Sequence, residues 1–202
     1  MSDGVDESKR ATLKRFAAVG AATSLARLSR DDSGDSDARD AIVGYLSTTP
    51  GAHFSKLRDD LKLGTGEAQH HLKRLERAEA VESQKDGDYR RYYPAGQFSA
   101  VEKRALGYLR RDTPRGMLVA LLRDPSVTGS ALAEQLGVSQ PTVSKYAAEL
   151  ESVGLLSRGD GYRIEQPEKL LMLVVRYADS FGEDARSLAA DADQLVSYDA
   201  TA

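Results

Sequence analysis

The stretch Gly129-Ser-Ala-Leu-Ala-Glu-Gln-Leu-Gly-Val-Ser-Gln-Pro-Thr-Val-Ser-Lys-Tyr146 decides how this chain folds. Ala131, Leu132 and Leu136 recur at helical spacing after Thr128, a capping residue, and Gly137 supplies the left-handed residue on which a helix ends without steric cost. Ser139 restarts the chain as an N-cap, and Pro141 falls in the first turn, where its missing N–H does no harm. Val143, Ala147 and Leu150 then face inward as far as Ser152, and Gly154 stops this helix. Upstream, Met117, Leu118, Leu121 and Leu122 form a helical stripe that ends before Asp124-Pro125, because proline disfavours helix in the residue before it. Downstream, 155–158 and 162–164 are strand candidates around the turn Gly159-Asp160-Gly161.

Sliding the sequence against itself by 75 residues aligns a second copy of this pattern without a gap. Pro50 falls on Pro125, Ser55 on Ser130, Leu57 on Leu132, Leu61 on Leu136, Ala68 on Val143, Leu75 on Leu150 and Val81 on Leu156. Apolar positions coincide while most polar positions differ, as expected of two copies of one fold constrained alike only in their cores. In the first copy the hairpin is longer, with strands at 81–84 and 89–93 around Lys85-Asp86-Gly87-Asp88. The order helix, helix, turn, helix, hairpin therefore occurs twice.

The segment 129–146, followed by Glu149-Leu-Glu-Ser-Val-Gly-Leu-Leu156, resembles the helix-turn-helix of MarR- and ArsR-type winged-helix regulators. The first copy is similar but degenerate: Gln69-His-His-Leu-Lys-Arg-Leu75 keeps the pattern, and Gly64-Thr-Gly66 replaces Ser-Gln-Pro. The two-copy arrangement over about residues 39 to 166 resembles archaeal, haloarchaeal-like regulators with two such domains. That resemblance implies a mainly α fold with small β-wings, double-stranded DNA as partner, a role in transcription and a cytoplasmic location.

A reading helix inserts its amino-terminal half into the major groove, where short polar side chains reach base edges and phosphates. In the second copy Ser139, Gln140, Thr142, Ser144 and Lys145 fit this role; their bland reading is an ordinary capped helix on a protein-binding module. The matching surface of the first copy is Thr65, Gln69, His70 and Lys73, with Glu67 as a poor phosphate neighbour. Lys85, Arg90 and Arg91 place cations on the first wing, either to pair with phosphate or as solvated charges of an edge strand. His71 is expected to pack within its own unit, since Tyr146 stands at the matching place, and His53, matching Thr128, reads as a local cap or surface residue.

Composition sets the outer limits. The 202 residues are 41% hydrophobic, enough for two small cores, and no run of apolar residues is long enough to span a bilayer. The absence of cysteine excludes disulfides and thiolate chemistry, and three histidines are too few for a convincing metal site, so no cofactor is expected. The net charge of −3 is unevenly spread, with −4 over residues 31–40, −4 over 167–202 and +3 over each of 1–30 and 99–127. Asp exceeds Glu by 19 to 12 and Arg exceeds Lys by 19 to 9, a bias suited to a GC-rich genome and a salt-adapted cytoplasm. No phosphate loop, nucleophile triad or metal cluster argues for an enzyme.

These readings divide the chain into a basic helix and acidic flexible linker (1–38), a first winged helix domain (39–97), a connecting helix (98–112), a second winged helix domain (113–166) and a C-terminal helical segment (167–202). Residues 170–175 are all apolar, so their helix must be buried, either in a homodimer interface over 167–181 or over its own domain. The segment 8–14 followed by 16–26 looks like a weak twin-arginine signal with Lys9 in place of the first arginine. Its other reading is a basic amphipathic helix that is solvated, docks on the body, or touches DNA or lipid. Two functions compete: a sequence-specific DNA-binding regulator, with 139–152 as reader and the wing 81–93 as backbone grip, and a tandem winged-helix interaction scaffold.

Overall fold

The computed structural model describes residues 3–21 and 33–195, and the chain divides into two compact units, Met1–Ser99 and Ala100–Ala202. The first unit contains helices α1 (Asp3–Ala21) and α2 (Ser33–Thr48), strand β1 (Ala52–His53), α3 (Phe54–Asp60), α4 (Thr65–Arg77) and a hairpin of β2 (Val81–Asp86) and β3 (Tyr89–Pro94). Its antiparallel sheet runs β1-β3-β2, with Ala52 opposite Tyr92 and Val81 opposite Pro94. Ile42, Tyr45, Leu46, Leu57, Leu61 and Leu72 fill the core between α2, α3 and α4. His53 is the cap of α3: its Nδ1 accepts the Lys56 backbone N–H at 3.3 Å.

The second unit contains α5 (Ala100–Leu109), α6 (Asp112–Arg123), α7 (Gly129–Leu136), α8 (Gln140–Ser152), a hairpin of β4 (Leu156–Gly159) and β5 (Gly161–Ile164), α9 (Pro167–Arg176), α10 (Ala178–Phe181), α11 (Glu183–Ala190) and α12 (Ala192–Leu195). The 75-residue shift carries α3 onto α7, α4 onto α8 and the first residue of β2 onto the first of β4. Local chemistry sets these boundaries. Thr128 caps α7 by accepting the Ala131 N–H at 3.2 Å, Gly137 ends it at φ 64°, and Ser139 caps α8 by accepting the Thr142 N–H at 3.3 Å. Met117, Leu118, Leu132 and Leu150 make the core.

The ends of the chain depart from the sequence reading. The acidic stretch is not all linker: from Ser33 onward it is the start of α2, and Ala38 and Arg39 are buried. The apolar stripe of Ala41, Ile42 and Tyr45 extends back through Ala38 at helical spacing, and acidic composition hid it. Asp31 and Asp32 lie outside the described residues, as do 22–26 of the apolar run near the amino terminus and 196–199 of the acidic tail. Within α1, Leu13 is buried and Phe16 packs edge-on against Tyr45 with ring centroids 5.3 Å apart, so this helix docks on its own unit.

The helix expected at 98–112 is shorter than its prediction and belongs to the second unit. Ala105, Leu106 and Leu109 of α5 are buried among α6 and α9. Its basic residues are occupied locally: Arg104 donates to the Val153 carbonyl at 3.2 Å, and Arg110 donates to the Ser180 hydroxyl at 3.1 Å with its guanidinium 4.5 Å from the Phe181 ring. The C-terminal helices are held by arginines of α6. Buried Arg115 donates to Asp184 at 2.8 Å and to Asp112 at 2.9 Å, and Arg123 pairs with Asp191 at 2.8 Å.

Within the single chain the all-apolar run of α9 is only half covered by its own unit, so its own domain does not account for the burial of all six residues. Leu170, Leu173 and Val174 are buried, whereas Met172 is 73% exposed and Val175 is exposed beside it. No described helix is long and apolar enough to cross a membrane.

Candidate nucleic-acid interface

In the second unit the helix pair α7 and α8 builds the candidate surface. Val143, Ala147 and Leu150 point into the core, which leaves Ser139, Gln140, Ser144 and Lys145 exposed on the opposite side of the amino-terminal half of α8, with Thr142 half-buried. Ser139 and Thr142 are pre-arranged by the cap, their hydroxyl oxygens 2.9 Å apart. Gln140 donates through Nε2 to the Ser130 hydroxyl at 3.0 Å, which ties the first turns of the two helices together. The Lys145 ammonium lies 3.8 Å from Glu149 and 5.4 Å from the Tyr146 ring, and its side chain remains 69% exposed. The positive end of the helix dipole and these exposed polar side chains meet at this terminus, a surface suited to phosphate and to base edges.

In the first unit α4 presents Thr65, Gln69, His70 and Lys73 along one exposed face, opposite buried Ala68, Leu72 and Leu75. His71 is buried against this core, and no cluster of His, Asp or Glu suited to a metal occurs among the described residues. Glu67 is turned aside. Its carboxylate accepts the Gly64 backbone N–H at 3.1 Å and both of its oxygens accept from the Lys9 ammonium, at 3.0 and 2.8 Å. Burial pushes the Glu67 carboxyl up, but the hydrogen bonds from Lys9 and Gly64 and the Lys9 charge outweigh it and hold the group below the usual glutamate range.

The first wing separates its three cations. Lys85 is exposed near the tip. Arg90, opposite Lys85 in the hairpin, is exposed, and its guanidinium bonds Ser83 Oγ at 2.7 Å and Glu76 of α4 at 2.9 Å. Arg91 is only 3% exposed: it pairs with Asp86 and donates to the Gly51 carbonyl at 3.0 Å. Its expected place among the backbone-gripping cations is therefore corrected, because alternation along β3 sends it to the face opposite Arg90, where Asp86 and the Gly51 carbonyl hold it. On the shorter second wing, Arg158 is held by Glu151 at 2.5 Å and Arg163 is exposed.

Two family profiles match the chain side by side. One, described as an N-terminal HTH domain, covers residues 36–106, and the other, described as a Crp-like helix-turn-helix domain, covers residues 104–173. The chain carries two helix-turn-helix domains in tandem. It is also similar to an uncharacterized HTH-type transcriptional regulator of Methanocaldococcus jannaschii, with 30% identity over 129 residues, 63% of this chain and 32% of that protein. The chain thus spans about a third of the length of this curated relative. No solved structure matches it.

In this tandem helix-turn-helix chain the sequence-selected residues fall into three groups. Ser139, Gln140, Thr142, Ser144 and Lys145 share one helix end, Thr65, Gln69, His70 and Lys73 share another, and the wing contributes Lys85 and Arg90. Lys9, whose partner Glu67 lies 58 residues away, was not among the residues selected from the sequence. Glu67 near the start of α4 was the available signal for Lys9, since a nearby cation favours a partly buried carboxylate.

Proposed function

We propose that this tandem helix-turn-helix chain is a non-enzymatic, cytoplasmic DNA-binding transcription regulator. The single observation that carries the reading is the amino-terminal half of α8, where Ser139, Gln140, Ser144 and Lys145 stand exposed over a packed Val143, Ala147 and Leu150. In this reading α8 enters the major groove and discriminates bases, with Gln140 and Ser144 as the readers and Lys145 on phosphate. The first unit mainly holds the DNA backbone through Thr65, Gln69, His70 and Lys73 of α4 and through Lys85 and Arg90 of its wing. The resemblance of 129–146 to MarR- and ArsR-type regulators and the name of the archaeal relative support the assignment. The chain acts as a homodimer through α9, whose exposed Met172 and Val175 give a second copy an apolar surface.

The test is a salt-titrated binding assay with a duplex from the gene's own upstream region and a random duplex of equal length. The reading expects tighter binding to the upstream duplex and a linear fall of log affinity with log salt for both. Equal affinity for the two duplexes, or no salt dependence, would overturn it.

A further inference from the structure

The amino-terminal helix α1 is the feature that the tandem-domain reading leaves without a task. It is anchored beside the reading helix of the first unit at two points: Lys9 grips the Glu67 carboxylate at 2.8 Å, and the Lys62 ammonium, in the turn between α3 and α4, reaches the Ser8 hydroxyl. Lys9, Leu13 and Phe16 recur at helical spacing on the docked side, which leaves Arg10 and Lys14 together on an exposed flank. Arg10 follows Lys9 directly, so it leaves the helix about 1.5 Å along the axis from the anchor on α4, and Lys14 stands one turn further on. Lys62 is exposed at the same end of α4.

We infer that α1 is a working part of the first unit's DNA-binding surface: Lys9 masks the Glu67 carboxylate at the start of α4, and Arg10 and Lys14 supply phosphate contacts beside it. This inference rests on the DNA-binding reading above. The chemistry is that of a polyanion surface. Two oxygens of Glu67 at the amino end of α4 would repel a phosphate that the N–H groups and the dipole of that end attract, and the Lys9 ammonium removes the repulsion. The neighbouring cations then extend the positive edge along α1, where counterion release rewards each phosphate contact. Unit 1, whose α4 lacks the cap hydroxyl and proline of α8, gains backbone affinity from a helix that the second unit does not have.

The experiment uses the full chain and a random-sequence duplex titrated from low to moderate salt. Arg10→Gln and Lys14→Gln lie on an exposed flank and leave α1 docked; each is expected to lower the salt slope by about 0.9 and to weaken binding about threefold. Lys9→Gln unmasks Glu67 and is expected to weaken binding about tenfold, Glu67→Gln to strengthen it a few-fold by freeing the Lys9 charge, and the double substitution to return near the parent. Circular dichroism on each variant identifies loss of α1 helix, and the two flank substitutions decide the matter where Lys9→Gln undocks it. Parent-like affinity and slope in both flank variants and in Lys9→Gln would overturn the inference while leaving DNA binding intact. A parent chain that binds no DNA would overturn the function itself, and this inference with it.

Discussion

Glu79 and Gly154 hold the same left-handed backbone at the same place in the two copies, with φ of 53° and 72°. Each follows the second helix of its helix-turn-helix, α4 or α8, and turns the chain toward the hairpin. In the second copy glycine adopts this conformation freely, whereas in the first a residue with a Cβ is forced into it at a cost of about 1 kcal/mol. Glu79→Gly is therefore expected to stabilise the first unit by up to about 1 kcal/mol, seen as a raised urea midpoint with an unchanged m-value. A lowered midpoint would contradict the equivalence of the two turns.

Arg90 and Arg91 are neighbours with opposite fates, and their variants should separate cleanly. Arg91→Ala leaves Asp86 and the Gly51 carbonyl without their buried partner and is expected to cost about 2 to 4 kcal/mol of unfolding free energy. Arg90→Ala removes an exposed cation and is expected to change stability by under about 1 kcal/mol while weakening DNA binding alike for all sequences. Chemical denaturation alongside a binding titration checks both, and equal stability loss from the two changes would contradict the account.

The Lys9 and Glu67 pair makes a pH prediction with a definite sign. Because the folded Glu67 carboxyl is held below its ordinary range, the stabilisation it gives is fully present above that range and fades as pH falls through its own lowered value. The stability advantage of the parent over Glu67→Gln should be constant near neutral pH and shrink toward zero in acid. Both side chains are partly exposed, so the plateau is expected at about 0.2 to 1 kcal/mol. An advantage that grows on acidification would contradict the pairing.

Met172 and Val175 carry the dimer proposal. Met172→Glu places a charge in the middle of the proposed apolar contact and is expected to halve the mass measured by light scattering, with the helical content unchanged. A parent chain that is already monomeric at micromolar concentration would contradict it.

The parts of the fold that rest on neighbouring residues were legible in the sequence. Gly137, Ser139, Pro141 and Gly154 fix the helix ends of the second unit through caps and left-handed turns that involve residues at most a few positions away. The apolar positions that recur after 75 residues, such as Leu57 with Leu132 and Leu75 with Leu150, exposed the repeat and with it the first unit. What the sequence could not display depends on partners distant along the chain. The burial of Arg91 is decided by Gly51, 40 residues earlier, and the fixing of the C-terminal helices by Arg115 and Asp184, 69 residues apart. Alternation along β3 says that Arg90 and Arg91 face opposite ways, but which of the two is enclosed depends on Asp86 and the distant Gly51 carbonyl. For α9, six apolar residues in a row exceed what one packed face can bury, so the sequence left open whether its own domain or a partner covers them.

The central claim is that α8 discriminates bases, and selection of bound duplexes from a random DNA pool tests it most directly. The account predicts that the parent chain enriches a defined motif, that Gln140→Ala changes the preferred bases within it, and that Arg90→Ala lowers affinity without changing the motif. Enrichment of no motif by the parent chain, or an identical motif from the parent and Gln140→Ala, would contradict it.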